Sequence, residues 1–378
     1  MVALGSSAIH LSLMVGSVVP VPAPREIVDA LIDVTIATAS GATSGFQLNF
    51  RVSTRSLLHT VFLISGGAMP PLMRVILTAV VNGVPEVLID GVMTHHETST
   101  GSDGTATLTV TGEDLTRVMD WIDFSGIPYP SMPPEARVAL IVAKYAGLGM
   151  FPMAIPTLLP EVHVPTDKIP AHQGKDLFYV RALAMRAGYI FHIEPGPVPG
   201  VSIAYWGPEI KAGIPQPALT LDIDLSRNVE KMKFTVDTQK RVMPVVYVQE
   251  PITRMPIPIP IPDVSLVNPP LGLVVPTPVE FRPIEGMAKR TFASAALLGL
   301  GDAAKSSEAV SATGSLDVLR YGHVLKPRRL VGVRGAGLAW DGLWYVKKVT
   351  HRLKRGEFKQ DFTLTRNGLL STIPVVPV

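Results

Sequence analysis

The stretch from Tyr321 to Gly368 constrains the fold of this chain most: YGHVLKPRRLVGVRGAGLAWDGLWYVKKVTHRLKRGEFKQDFTLTRNG. Val331 and Val333 alternate with Gly332 and Arg334 ahead of the glycine turn at Gly335–Gly337. Trp344, Val346 and Val349 carry a second run, introduced by Asp341-Gly342. Phe358, Phe362 and Leu364 carry a third, after Arg355-Gly356-Glu357. Apolar residues at period two between turn residues predict a three-stranded β-meander with one buried face. Lys326, Arg328, Arg329, Lys347, Lys348, Arg352, Lys354, Arg355 and Lys359 fall between or opposite the apolar positions, which assigns them to a solvated or partner-facing side.

Such a meander must sit in something larger. The chain has 378 residues, of which 47% are hydrophobic and only 17% charged. Its mean hydropathy is +0.32. Apolar surface on that scale has to be hidden in a membrane or against other subunits. No apolar run approaches the roughly 18 uninterrupted residues of a spanning helix, and the Pro-rich middle lacks the regular strand–turn units of a transmembrane β-barrel. Subunit interfaces are therefore expected, and no membrane. The N-terminus lacks a basic leader, so no cleaved signal peptide is expected. The net charge of +3 does not argue for a specific nucleic acid, and with no cysteine there is no disulfide framework or thiol nucleophile.

In chain order, strands are expected at Ile9–Gly16, Ile27–Ala39, Phe46–Val52, Val75–Val81, Val87–Met93 and Thr105–Val110, with Asn82-Gly83 as a hairpin turn. A helix is expected from Gly112 to about Asp123 with Thr111 as N-cap, and another from Glu135 to about Tyr145. Met150–Pro165 reads as irregular. Lys175–Ala187 is an amphipathic helix ended by Gly188, followed by strands at Tyr189–Ile193 and Val201–Trp206. Leu219–Leu225, Val229–Val236 and Val242–Gln249 resume the β character. Pro251–Pro283 carries proline at close intervals, which predicts an extended polyproline-like strap rather than sheet. Ala288–Ala304 is expected to be a linker helix, and Ser306–Leu319 alternates loosely. The fold class is mainly β with an α+β insert: residues 1–120, an insert over 121–215, and a second β region over 216–378.

Catalytic, cofactor-binding and metal-binding residues are all expected to be none. His95-His96-Glu97 is the densest histidine cluster, but neighbours on a strand point to opposite faces. Asp222 and Asp224 would share one face of a strand and could act as paired carboxylates; alternation with Leu221, Ile223 and Leu225 reads them as a solvated side. Gly332–Gly337 leads into a strand, not the helix of a dinucleotide loop. Trp340, Trp344 and Phe358, interleaved with the basic set, could stack on a nucleic acid, though a polar sheet face or interface rim suits them better.

The terminal run VLKPRRLVGVRGAGLAWDGLWYVKKVTHRLKRGEFKQDFTLTRNG resembles the C-terminal end of the phage late control D family, the central hub proteins of contractile tail baseplates. TLTVTGEDLTRVMDW, KDLFYVRALAMRAGYIFHIE and LTLDIDLSRNVEKMKFTVDTQKR are similar in the same order. The family is related to the hub of T4-like phages and to the N-terminal part of the VgrG spike proteins. The resemblance implies two tail-tube-like β-barrels in one chain, so that a homotrimer presents a pseudo-hexameric ring. It implies three further partners: an inner tube protein, a separate spike protein and baseplate wedge proteins. The last motif ends near Asn367, so no spike domain is expected to follow. The implied role is a structural, non-enzymatic baseplate hub in a virion tail or phage-like injection particle, assembled in the bacterial cytoplasm. A tail-tip peptidoglycan-degrading enzyme, with Asp222 and Asp224 as its carboxylates, is the alternative.

Overall fold

The structure, a computed structural model, describes residues 2–3, 9–52, 72–101, 106–157, 169–222, 227–249, 255–261, 268–284, 299–301, 303 and 308–373. The first part of the chain forms β1 (Val2–Ala3), β2 (Ile9–Gly16), β3 (Val21–Pro22), the short helix α1 (Arg25–Asp29), β4 (Leu31–Ala39), β5 (Gly45–Val52), β6 (Arg74–Val81), β7 (Val84–Thr100) and β8 (Ala106–Asp114). The middle holds α2 (Pro134–Ala143), β9 (Met150–Ala154), α3 (Asp176–Arg186), β10 (Ile190–Pro195) and β11 (Ser202–Gly207). The last part holds β12 (Gln216–Thr220), β13 (Val229–Val236), β14 (Val242–Gln249), β15 (Pro256–Pro260), β16 (Gly272–Val274), β17 (Glu280–Pro283), β18 (Val310–Asp317), β19 (Leu330–Arg334), β20 (Gly342–Lys354), β21 (Glu357–Arg366) and β22 (Leu369–Ser371).

Fourteen of these strands share one sheet, with the main path β1-β2-β6-β7-β8-β5-β4-β20-β21-β18-β13. Alternation dictates its faces. Leu31, Val34 and Ile36 of β4 are buried, as are Phe46, Leu48, Phe50 and Val52 of β5, and Phe358, Phe362 and Leu364 of β21. Together they belong to a single apolar core built from both ends of the chain. Each such fully buried side chain contributes about 1.5–3 kcal/mol.

The two ends repeat each other strand for strand. Neighbour order in the first is β4-β5-β8-β7-β6-β2; in the second it is β13-β18-β21-β20-β19-β12, with the same succession along the chain. The bulges repeat as well. β4–β5 shifts register between Leu31 and Asp33, and β13–β18 between Val229 and Lys231. β7–β8 shifts between Met93 and His95, and β20–β21 between Val346 and Lys348. Asp33 thus corresponds to Lys231, His95 to Lys348, Asn49 to Ser315 and Thr109 to Asp361. One difference stands out: β2 runs antiparallel to β6, whereas β12 runs parallel to β19.

Glycine completes the packing where aromatics cross the sheet. Phe46 pairs with Gly112, and a Cβ there would lie 2.2 Å from its ring. Phe362 pairs with Gly314, where a Cβ would lie 2.6 Å from the ring.

The halves join edge to edge. β4 pairs antiparallel with β20 from Lys348↔Ala39 to Lys354↔Asp33. β19 takes the other stretch of that same edge, from Leu330↔Tyr345 to Val333↔Gly342. A second core joins Val138, Ile141, Val142, Val180, Leu183 and Trp206 of the middle part, packed over the β10-β11-β9 sheet, with Leu72, Val92, Leu115 and Met119 of the first part.

Several expectations are corrected. The predicted helix after Thr111 is absent: β8 continues to Asp114, which caps a 3-10 turn over Leu115–Asp120 by accepting the Thr116 N–H at 3.0 Å. Residues 25–29 are helical ahead of β4 because Pro24 opens a turn there. Met150–Ala154 is a strand, parallel to β11. The proline-rich stretch is not a strap free of sheet. β15 pairs with β14, with Ile257 opposite Val248 and Ile259 opposite Val246. Alternate N–H groups of a strand point the same way, so prolines at every second position leave one ladder edge intact. β12 stops at Thr220, short of the expected Leu225. The linker helix expected at 288–304 falls largely outside the described residues. The terminal meander is β19, β20 and β21.

Candidate functional site

Registers carry one polar face across eight strands. It presents His95, Glu97 and Ser99 on β7, then Thr107, Thr109 and Thr111 on β8, and Gln47, Asn49 and Arg51 on β5. Asp33, Thr35 and Ala37 follow on β4, then Lys348, Thr350, Arg352 and Lys354 on β20. Lys359, Asp361 and Thr363 of β21, Ser311, Thr313 and Ser315 of β18, and Lys231, Lys233 and Thr235 of β13 complete it. The largest apolar group in these rows is the Ala37 methyl. Such a face cannot form a dry interface.

Its two halves differ in charge. In the first, short polar side chains bond laterally: Asn49 donates to Asp33 at 2.8 Å and accepts from Thr109 at 2.9 Å. In the second, Lys231, Lys233, Lys348, Arg352, Lys354 and Lys359 outnumber Glu230, Glu357 and Asp361. Arg352 holds Asp361 at 2.8 Å, and Lys359 holds Glu230 and Glu357 at 3.0 Å each. A concavity of about 530 Å³ lies here, lined by Lys231, Lys233, Lys348 and Arg352.

Buried ionic groups lock the parts together. At the seam, Lys347 is the bulged residue of β20, and its Nζ lies 3.2 Å from Glu209 and 3.0 Å from Glu308. Lys211 lies 2.9 Å from Glu308, the Tyr345 hydroxyl donates to Glu209 at 3.2 Å, and Ser40 at the end of β4 also donates to Glu209. Burial opposes ionisation of Glu209, but Lys347 and Lys211 outweigh it and hold its pKa below the usual carboxylate range. Burial likewise opposes charge on Lys347, and Glu209 and Glu308 prevail, raising its pKa.

On the first half, Arg74 and Asp90 form a buried bidentate pair at 2.8 and 2.7 Å, which Ser202 and the Gly200 carbonyl of the insert complete. The corresponding positions of the second half are Leu330 and Leu343, covered by Leu271. The same face of the repeated unit is therefore covered by the insert in the first half and by the segment before β16 in the second. A second cavity, of about 270 Å³, lies between both halves and the β10–β11 hairpin, rimmed by the pairs Lys326–Glu86 and Arg329–Glu194 at 2.6 and 3.7 Å.

The densest titratable cluster lies inside the insert. Asp176 accepts from Lys144 and Tyr145 (2.8 and 2.6 Å) and lies 3.3 Å from His172, whose other nitrogen meets Tyr129 at 3.0 Å. With His172 2% and Asp176 0% exposed, the group is closed to substrate and braces α2 against α3. His95 and Glu97 are exposed on the polar face while His96 points the other way, and no metal-ligating group of three occurs among the described residues. Asp222 lies beyond β12, with its Cβ against Gly335; Asp224 is outside the described residues. Trp344 and Phe358 are core residues, and Trp340 stacks on Phe234 at 4.8 Å, so these rings offer no platform for bases. The seam and Arg74–Asp90 escaped sequence reasoning, although Asp90 inside an apolar run was a visible trace of the second.

No family model and no curated protein matches the chain. Solved structures do. A tail protein from Neisseria meningitidis MC58 superposes with a TM-score of 0.62 at 14% identity, over 96% of this chain and 98% of that one. The 43 kDa tail protein of prophage MuSo2 from Shewanella oneidensis gives 0.63 at 13% identity, over 95% and 99%. The E. coli c3393 protein, a type VI secretion component described as structurally similar to the T4 tail proteins gp27 and gp5, gives 0.53 at 12% identity, over 92% and 78%. The chain has the fold of these phage tail and type VI secretion proteins.

Proposed function

We propose that this chain is a structural baseplate hub protein of a contractile phage tail or phage-like injection particle. The observation that carries the reading is the repeat: two units of one strand order, joined edge to edge across β4 and β20. Three copies then present six equivalent units, the arithmetic needed to join a hexameric inner tube to a trimeric spike. Residues 1–120 and 216–378 act as the two tube-like units, and 121–215 reaches outward to the wedge proteins. The polar, mildly basic face lines the bore, where an apolar wall would adhere to whatever passes. The likeness in fold to tail proteins across nearly their whole length supports the role.

Size-exclusion chromatography with light scattering of the purified chain tests the copy number. A mass of three chains is expected. A peptidoglycan zymogram tests the enzymatic alternative: a cleared band lost on changing Asp222 and Asp224 to Asn would overturn the structural reading.

A further inference from the structure

Arg328 lines the cavity of about 270 Å³ between the halves and the β10–β11 hairpin, and its charge is unmatched there. Its neighbours on the rim are paired, Lys326 with Glu86 and Arg329 with Glu194. The Arg328 Nε and Nη1 are buried, and among the described residues neither finds an acceptor. Burial pulls its pKa below the ordinary arginine value, and Glu194 offsets this only in part. Asp114 also acts on it, but that carboxylate accepts from the Ser44 and Thr116 N–H groups at 2.6 and 3.0 Å. A buried cation with open donors is costly until something accepts from it.

We propose that this cavity binds a monocarboxylate with an apolar tail. The carboxylate accepts from the Arg328 guanidinium, and the tail lies against Leu88, Pro195, Ile203 and Val324 in the same wall. A free acid and the C-terminal end of a peptide both offer this chemistry, and the test below separates them.

Charge selects the ligand. Lys326, Arg328 and Arg329 face Glu86 and Glu194, which leaves one positive charge over; His351 in the wall stays neutral because burial pushes its pKa down to about 4. One negative charge balances the site, whereas a phosphate dianion would add repulsion beside two carboxylates. A planar carboxylate also matches the guanidinium in shape. The backbone holds that guanidinium in place. Arg328 sits in the left-handed region at φ 63°, its N–H donating to the Val346 carbonyl at 2.8 Å while the Val346 N–H donates to the Arg329 carbonyl at 2.9 Å. Both bonds fall at the bulge of β20. Non-glycine residues kept in that region gather at ligand clamps, where the surroundings enforce them.

Isothermal titration of the full chain tests this with hexanoate, hexanamide and a short apolar peptide whose C-terminus is free or amidated. At least one of the two acids should bind, and its amide should bind about tenfold more weakly or worse. Tighter binding of the peptide assigns the carboxylate to a chain end, and tighter binding of hexanoate assigns it to a free acid. Arg328→Met should abolish binding yet stay folded, because an apolar side chain replaces a buried unpaired cation. Glu194→Gln removes the nearest competing carboxylate and should tighten binding. No binding of either acid, equal binding of acid and amide, or undiminished binding by R328M overturns the proposal. Should R328M fail to fold, unchanged or weaker acid binding by E194Q overturns it instead. None of these outcomes depends on the hub reading.

Discussion

Lys347 reaches Glu209 at 3.2 Å because a β-bulge displaces it from the polar face of β20. Its counterpart in the first half is Thr94, which is exposed. The same backbone irregularity thus has two outcomes: in one half it turns a cation into the seam, in the other it leaves Thr94 exposed.

Replacing Lys347 with Met leaves Glu209 and Glu308 short of a cation in a buried site. A loss of about 3 kcal/mol is expected in urea unfolding at neutral pH. Glu209, with its pKa depressed, contributes stability above the ordinary value of 4.5 that disappears as the pH falls through its folded pKa. Lys347, with its pKa raised, contributes below 10.5 and loses that contribution as the pH rises through its own folded value. The variant should show a flatter stability profile at both extremes.

Asp90→Ala strands the Arg74 guanidinium, which is 3% exposed. About 3–5 kcal/mol should be lost. Because Ser202 and Gly200 of the insert share the pair, hydrogen exchange should rise at β11 before it rises at β21.

Gly314→Ala puts a methyl 2.6 Å from both the Phe362 ring and the Lys231 carbonyl. A cost of about 1–3 kcal/mol is expected. The far side of the sheet is untouched, so Thr313→Ala beside it should change stability by less than about 0.5 kcal/mol.

His351 is 4% exposed, and burial pushes its pKa down to about 4. The unfolded chain therefore binds the proton first, and stability should fall by about 3 kcal/mol as the pH drops from 6.5 to 4. His351→Gln should remove that part of the slope in urea titrations across this range.

The meander was legible because Val331, Trp344, Phe358 and Phe362 alternate without competition, and α3 because its apolar spacing ends at Gly188. The repeat was not, since equivalent positions share geometry rather than residue type: Asp33 matches Lys231, and Arg74 and Asp90 match Leu330 and Leu343. β15 was hidden by its prolines, whose period of two preserves one ladder edge. The eight-strand polar face needed the registers, which residue spacing alone does not supply.

Electron cryo-microscopy of the assembled particle tests the central claim most directly. Three copies of this chain are expected in one ring at the base of the inner tube, six repeated units around the axis, with Thr109, Thr350 and Lys233 facing the bore. Six copies in the ring, or a position in the sheath, would contradict it.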